Sequence, residues 1–224
     1  MSGVARYDGV AEWYDRELAT AALGLSSQRI VLRLLGDGEG RLLDVGCGGG
    51  SFAATLGERG WQVTGVDVSE DQLRLARERG VDVVRADVTE LPFPDVSFDA
   101  AVSVFTHTDV DDFGAAVREV ARVLRPDAQF VYLGVHPCFI GPHSRFLGGQ
   151  GVPELFSGYL ETERYTEAPG ISPTGLRAKV GAVHLPLAAF VHAFLASGLR
   201  IERFEEPVSG EREYPHLVAL VCRR

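Results

Sequence analysis

Lysine is almost missing from this chain: Lys179 is the only one among 224 residues. The 22 basic residues face 31 acidic ones, for a formal net charge of −9. With no Lys/Arg cluster to set against that balance, the sequence argues against a phosphate-backbone footprint and so against a nucleic-acid partner. Cysteine is scarce too. Cys47, Cys138 and Cys222 are odd in number and form no CxxC, which excludes a disulfide framework and reads as reduced thiols. No apolar run approaches the ~20 residues that cross a bilayer, and the N-terminus lacks the apolar core of a signal peptide. The expectation is a cytoplasmic protein with no membrane partner. At 46% hydrophobic and 24% charged, the length suits one well-packed domain over 1–224.

What the chain does have is concentrated in Leu42-Leu43-Asp44-Val45-Gly46-Cys47-Gly48-Gly49-Gly50. This reads as a buried strand running into a turn almost without side chains, where a ligand meets bare backbone. Two further strands end in carboxylates: Val63-Thr64-Gly65-Val66-Asp67 and Val83-Val84-Arg85-Ala86-Asp87-Val88. Three successive strand ends that offer acids make a nucleoside-shaped site.

Strand and helix patterns alternate from 41 to 136, which argues a parallel sheet with crossover helices. Helices over 10–20 and 26–35 precede it, so 1–36 reads as an N-terminal helical cap. Ser69-Glu70-Asp71-Gln72 is a capping box that opens a helix over 71–79. A fourth strand covers 98–104, and Asp111 or Asp112 caps the helix that carries Phe113, Val117, Val120 and Leu124. Pro126 ends that helix, and a fifth strand covers 130–135. The periodicity then breaks over 137–182, which holds five prolines and many glycines. An irregular stretch that long inside a domain is usually functional, and here it reads as a lid. A helix follows Pro186, and 200–206 and 216–221 form an antiparallel pair at the sheet's end.

LLDVGCGGG, VTGVDVS, RADVTELPFPDVSFD, AVSVFTHTDVDD and REVARVLRPDAQFVYLGVH, with Ser197-Gly198-Leu199 before the last two strands, resemble the class I S-adenosylmethionine-dependent methyltransferases. The resemblance is strongest to the small-molecule branch with quinone-biosynthesis C-methyltransferases. It implies an α/β, Rossmann-like, doubly wound sheet of seven mostly parallel strands with an antiparallel last strand. It also implies S-adenosyl-L-methionine as cofactor, leaving as S-adenosyl-L-homocysteine. Carried onto this sequence, Asp44 would hold the methionine ammonium, and Gly46, Cys47 and Gly48 would line it with backbone. Asp67, followed by Val68, would take the ribose hydroxyls; Asp87 and Val88 would face the adenine. Val104 and Phe105 would lie near the methionine half, and Tyr7 and Tyr14 on a segment that closes over the cofactor. Gly49 replaces a common threonine, and Asp127-Ala128 a usual Gly-Gly.

Methyl transfer from a sulfonium demands alignment and exclusion of water, with a base where the acceptor holds a proton. Ligands of such sheets sit beyond the carboxyl ends of the strands, which nominates His107 and His136, and more weakly His184 and His143. His136, Cys138 and His143 fit no common zinc spacing, so no metal is expected. Arg145, Arg164 and Tyr165 are candidates for an acceptor carboxylate. Phe139, Ile140, Phe146, Leu147, Leu155, Phe156 and Tyr159 would make an apolar pocket for a hydrophobic small molecule.

Two rivals remain. A nicotinamide dehydrogenase is disfavoured because Gly46-x-Gly48-x-x-Ser51 lacks the third glycine and no Tyr-x-x-x-Lys occurs. A protein of the same fold that binds S-adenosylmethionine without methylating is not separable from sequence.

Overall fold

The structure is a computed structural model that describes residues 5–19, 22–146, 151–208 and 213–224. The N-terminal segment forms α1 (Ala11–Tyr14), continues as a π-helical turn over Asp15–Ala19, and re-forms as α2 (Ala22–Leu35). The helix expected over 10–20 is thus broken into two local geometries, and Thr20 lies outside the described residues.

From Arg41 the alternation is as expected. β1 (Arg41–Val45), α3 (Ser51–Gly57), β2 (Gln62–Asp67), α4 (Glu70–Glu78) and β3 (Asp82–Arg85) lead to β4 (Phe98–Val104), α5 (Phe113–Val123) and β5 (Leu124–Val135). Capping chemistry sets the helix starts. Ser69 Oγ accepts from the Gln72 amide at 3.3 Å, and Asp112 Oδ1 accepts from the Ala115 amide at 2.8 Å. Past β5 the described residues form short pieces: β6 (Ser144–Phe146) paired with β7 (Pro153–Leu155), β8 (Arg164–Tyr165) paired with β9 (Ala182–Val183), and α6 (Leu176–Val180). Then come α7 (Leu187–Ala196), β10 (Arg200–Glu205) and β11 (Leu217–Arg223).

Seven strands form one sheet in the order β10-β11-β5-β4-β1-β2-β3. β1 pairs in parallel with β2 on one side and β4 on the other. Strand order reverses there, and the chain leaves the two carboxyl ends in opposite directions, which opens a crevice. The final strand is antiparallel, as the resemblance implies, but it is not at the edge. β11 lies between β5 and β10, antiparallel to both. The fifth strand also starts earlier than expected. Leu124 already pairs with Phe98, and the register slips before Ala100 meets Gln129, a bulge that accommodates Pro126 and the positive φ of Asp127.

Alternate residues of the central strands enter different cores, as in a sheet covered on both faces. Leu43 and Val45 join Phe113, Phe130, Tyr132, Phe190 and Phe194 under α5 and α7. Leu42, Val102, Val131 and Leu133 pack with Leu34 and Leu56 under α2 and α3. The crevice therefore stands on a floor fixed from both sides.

Candidate active site

The glycine loop leaves β1 and curls back at once: the amides of Gly46 and Cys47 both donate to Val66 O at 2.9 Å. Gly46 and Gly48 hold φ values of 72° and 52°, a region that side chains disfavour. A Cβ on Gly46 would overlap Thr106 Cγ2, and one on Gly50 would lie 2.8 Å from Ala76 Cβ. The loop is bare because neighbours already fill the space. Cys47 is a filler, with Sγ packed toward Gly65; burial first, then Asp44 and Asp67, push its thiol well up.

Asp44 ends β1 only 2% exposed, and its Oδ2 has no hydrogen-bond partner. Burial, followed by repulsion from Asp67, pushes its carboxyl up to about 7. Asp67 ends β2. Its Oδ1 accepts from the Ser69 amide at 2.9 Å and its Oδ2 from the Gly48 amide at 3.0 Å. Burial raises its pKa, and those N–H groups oppose the rise. Asp67 thus ties the glycine loop to the start of α4, and each oxygen keeps a lone pair for a further donor. Asp87, past β3, spends Oδ1 on the amide and hydroxyl of Thr89, at 3.0 and 2.8 Å.

These acids border two adjoining cavities. The larger, about 300 Å³, is lined by Asp67, Val68, Ala86, Asp87 and Val88. The smaller, about 150 Å³, is lined by Asp44, Cys47, Gly49, Phe52, Leu176 and Arg177. Tyr7, Tyr14, Gly46, Gly48, Val104 and Phe105 border both. The cofactor-side residues expected from sequence, from Asp44 to Phe105 and Tyr14, thus all face this pair of cavities. Phe105 holds a φ of 62°, a strained value for a bulky residue.

Other contributors escaped the sequence. Gln72, from α4, lines the larger cavity, 2% exposed, with Oε1 unpartnered. Asp109, beyond β4, accepts from the Tyr7 hydroxyl at 3.2 Å and from Arg177 Nη1 at 2.6 Å. Arg164, which the sequence nominated for an acceptor carboxylate, donates to Asp109 O at 3.0 Å and to Asp111 Oδ1 at 2.7 Å. The N-terminal segment, the loop past β4 and the 137–182 insert therefore meet over the crevice. Burial and then Asp109 push the Tyr14 hydroxyl up to about 12.

The histidines nominated from sequence lie outside the lining of both cavities. His107 turns into the aromatic core, where Nδ1 meets the Tyr132 hydroxyl at 2.5 Å and the ring packs on Phe113 and Phe190. Burial and then Arg177 lower its pKa to about 3. His136 Nδ1 accepts from the Cys138 amide at 3.1 Å, and Nε2 faces Glu206 Oε1 at 2.7 Å. His184 Nε2 donates to Tyr159 O at 2.9 Å beside His143; burial and then His143 bring its pKa to about 4. Nor do Phe139, Ile140 and Tyr159 line either of these two cavities, and Leu155 and Phe156 are exposed. The Phe146 side chain and Leu147 lie outside the described residues.

The methyltransferase domain family matches residues 43–132, from β1 into β5. A structure of an S-adenosylmethionine-dependent methyltransferase from Mesorhizobium loti superposes with a TM-score of 0.72 at 28% identity, over 97% of this chain and 99% of that one. This chain belongs to the class I S-adenosylmethionine-dependent methyltransferases. The cofactor of these methyltransferases is S-adenosylmethionine. Among curated relatives, a fatty-acid O-methyltransferase from Mycolicibacterium smegmatis is 40% identical over 43% of this methyltransferase chain. The ubiquinone/menaquinone biosynthesis C-methyltransferase UbiE of Desulfotalea psychrophila is 33% identical over 66% of it. The chain spans 38% and 65% of the lengths of those two relatives.

Proposed function

We propose that this protein transfers the methyl group of S-adenosylmethionine to a hydrophobic small-molecule acceptor. The observation that carries the reading is Asp44, a buried carboxylate with an unpartnered oxygen beside a bare glycine loop. Such a group is costly unless a cation meets it, and the methionine ammonium is one. Asp67 accepts from the ribose hydroxyls with the lone pairs its amide contacts leave. Asp87 and the Val88 amide face the adenine, while Gly46, Cys47, Gly48, Val68, Val104, Phe105 and Tyr14 enclose the rest.

The bound sulfonium supplies an electrophilic methyl and a neutral leaving group. The chain's part is to align the acceptor and keep water out. Tyr14, with a hydroxyl pushed up to about 12, stays protonated at neutral pH and orients groups as a donor. No histidine lines the cavities, so a histidine base is not part of this reading. The 137–182 insert acts as the lid. The net charge of −9 supports a small-molecule acceptor over nucleic acid, and a cytoplasmic location belongs to the same reading. Among the described residues no single helix is long and apolar enough to cross a membrane.

The test is calorimetric titration with S-adenosylmethionine, S-adenosylhomocysteine, NAD and NADP, followed by incubation with methyl-labelled S-adenosylmethionine and a small-molecule extract. The two sulfur nucleosides should bind, and label should appear in an apolar product as S-adenosylhomocysteine forms. NAD binding without either of them would overturn the cofactor; binding with no labelled product would overturn the transfer.

A further inference from the structure

The smaller cavity holds one acid and one base among its lining residues. Asp44 enters from the end of β1; Arg177 enters from α6 of the insert. The other lining groups are uncharged: apolar side chains, the glycine loop, Ser51 and the two tyrosines. A small space that presents one carboxylate and one guanidinium is the electrostatic complement of a zwitterion. The methionine half of S-adenosylmethionine is a zwitterion, with an ammonium and a carboxylate on one carbon.

Arg177 is held for such a task. Nη1 donates to Asp109 Oδ1 at 2.6 Å and to Gly181 O at 3.3 Å, and Nη2 donates to Thr108 Oγ1 at 2.7 Å. Gly181 closes α6, and Thr108 and Asp109 follow β4, so the guanidinium is clamped between its own helix and the rim of the crevice. Five N–H donors in a rigid fork leave two uncommitted. The pair also divides the space: Asp109 lines the larger cavity and Arg177 the smaller. An incoming carboxylate therefore meets the cationic member, while Asp109 is held by its ion pair with Arg177 and a hydrogen bond from the Tyr7 hydroxyl.

We infer that Arg177 binds the α-carboxylate of the cofactor's methionine half, opposite the ammonium on Asp44, so that the insert is a cofactor-binding element as well as a cover for the acceptor. This rests on the cofactor reading above and extends it to a residue outside the glycine loop and the strand-end acids.

The experiment compares two ligands on each protein by titration calorimetry: S-adenosylhomocysteine and its analogue lacking the carboxylate. Wild type should prefer the carboxylate form by at least tenfold, and Arg177→Gln should bind both forms alike. Comparing ligands on one variant cancels any general loss of stability. Should Arg177→Gln fail to fold because Asp109 is left unpaired, the double variant Asp109→Asn/Arg177→Gln removes that charge and answers the same question. A preference that survives the loss of Arg177, or no preference in wild type, overturns the inference and leaves the cofactor intact. Binding of neither ligand by wild type overturns the cofactor reading, and this inference with it.

Discussion

The methyl group of Thr106 occupies the place where a side chain on Gly46 would begin. Thr106 follows β4 and its hydroxyl lies 2.6 Å from that of Ser103, which donates to Val45 O at 2.9 Å. The glycine loop and the β4 loop are therefore fitted against each other across the switch point, and neither is free to drift.

Gly46→Ala should fail on two counts, a φ of 72° and overlap with Thr106. We expect a loss of ~2–4 kcal/mol in denaturant unfolding and of cofactor binding by titration. Adding Thr106→Ser, which removes the methyl but keeps the hydroxyl, should restore only the packing share. Full stability in Gly46→Ala alone would show that the loop relaxes freely.

Asp44 makes stability and affinity depend on pH in opposite senses. Its carboxyl, pushed up to about 7, holds a proton in the folded protein that the unfolded chain releases near 4. The ligand-free protein should therefore lose stability as pH rises from roughly 4 to 7, by a few kcal/mol at most, and change little above. A cationic ligand needs the ionised form, so affinity should rise through the same window and fall again above roughly 8, where an α-amino group deprotonates. Asp44→Asn should flatten the thermal-melt profile and weaken binding at least tenfold. An unchanged pH profile in that variant would remove Asp44 from both roles.

Asp67 carries a structural duty besides the proposed one. With two backbone amides relying on it, Asp67→Ala should cost ~1–3 kcal/mol of ligand-free stability and at least tenfold in cofactor affinity. Melting and titration of the same preparation separate the two effects. A variant that loses stability but binds normally would make Asp67 a loop tie only.

His136→Asn should shift the melting temperature and leave the shape of the pH–rate profile unchanged, because both ring nitrogens are engaged away from the cavities. Loss of a limb near the histidine pKa would return His136 to the chemistry.

The fold and the acids that border the crevice were legible because their signals are local. Asp44, Asp67 and Asp87 each close a short apolar run, and Gly46 and Gly48 sit where the chain must turn. The contacts of the 137–182 insert were not. Asp109 and Arg177 are 68 residues apart, and no periodicity announces that they meet. Gln72 reads as the glutamine of a capping box, yet only its amide serves the cap, while its side chain turns to the cavity. Where the histidine rings point was not legible either, because a strand-end position fixes the backbone and leaves the rotamer open. In each case the aromatic core or a nearby backbone group captured the ring. The position of β11 was hidden for a related reason, since pairing partners beyond a hairpin are chosen by the whole sheet.

That position has a consequence for synthesis. β11 covers the outer edge of β5 along Gln129 to Val135, so the ribosome must release Leu217–Arg223 before that edge is paired. Until then a nascent chain already carrying β1 to β5 shows an open, apolar strand, a template for pairing with another chain. Expression conditions that slow translation beyond β10 should lengthen this exposure and raise the aggregated fraction, and a chaperone that shields strand edges should lower it.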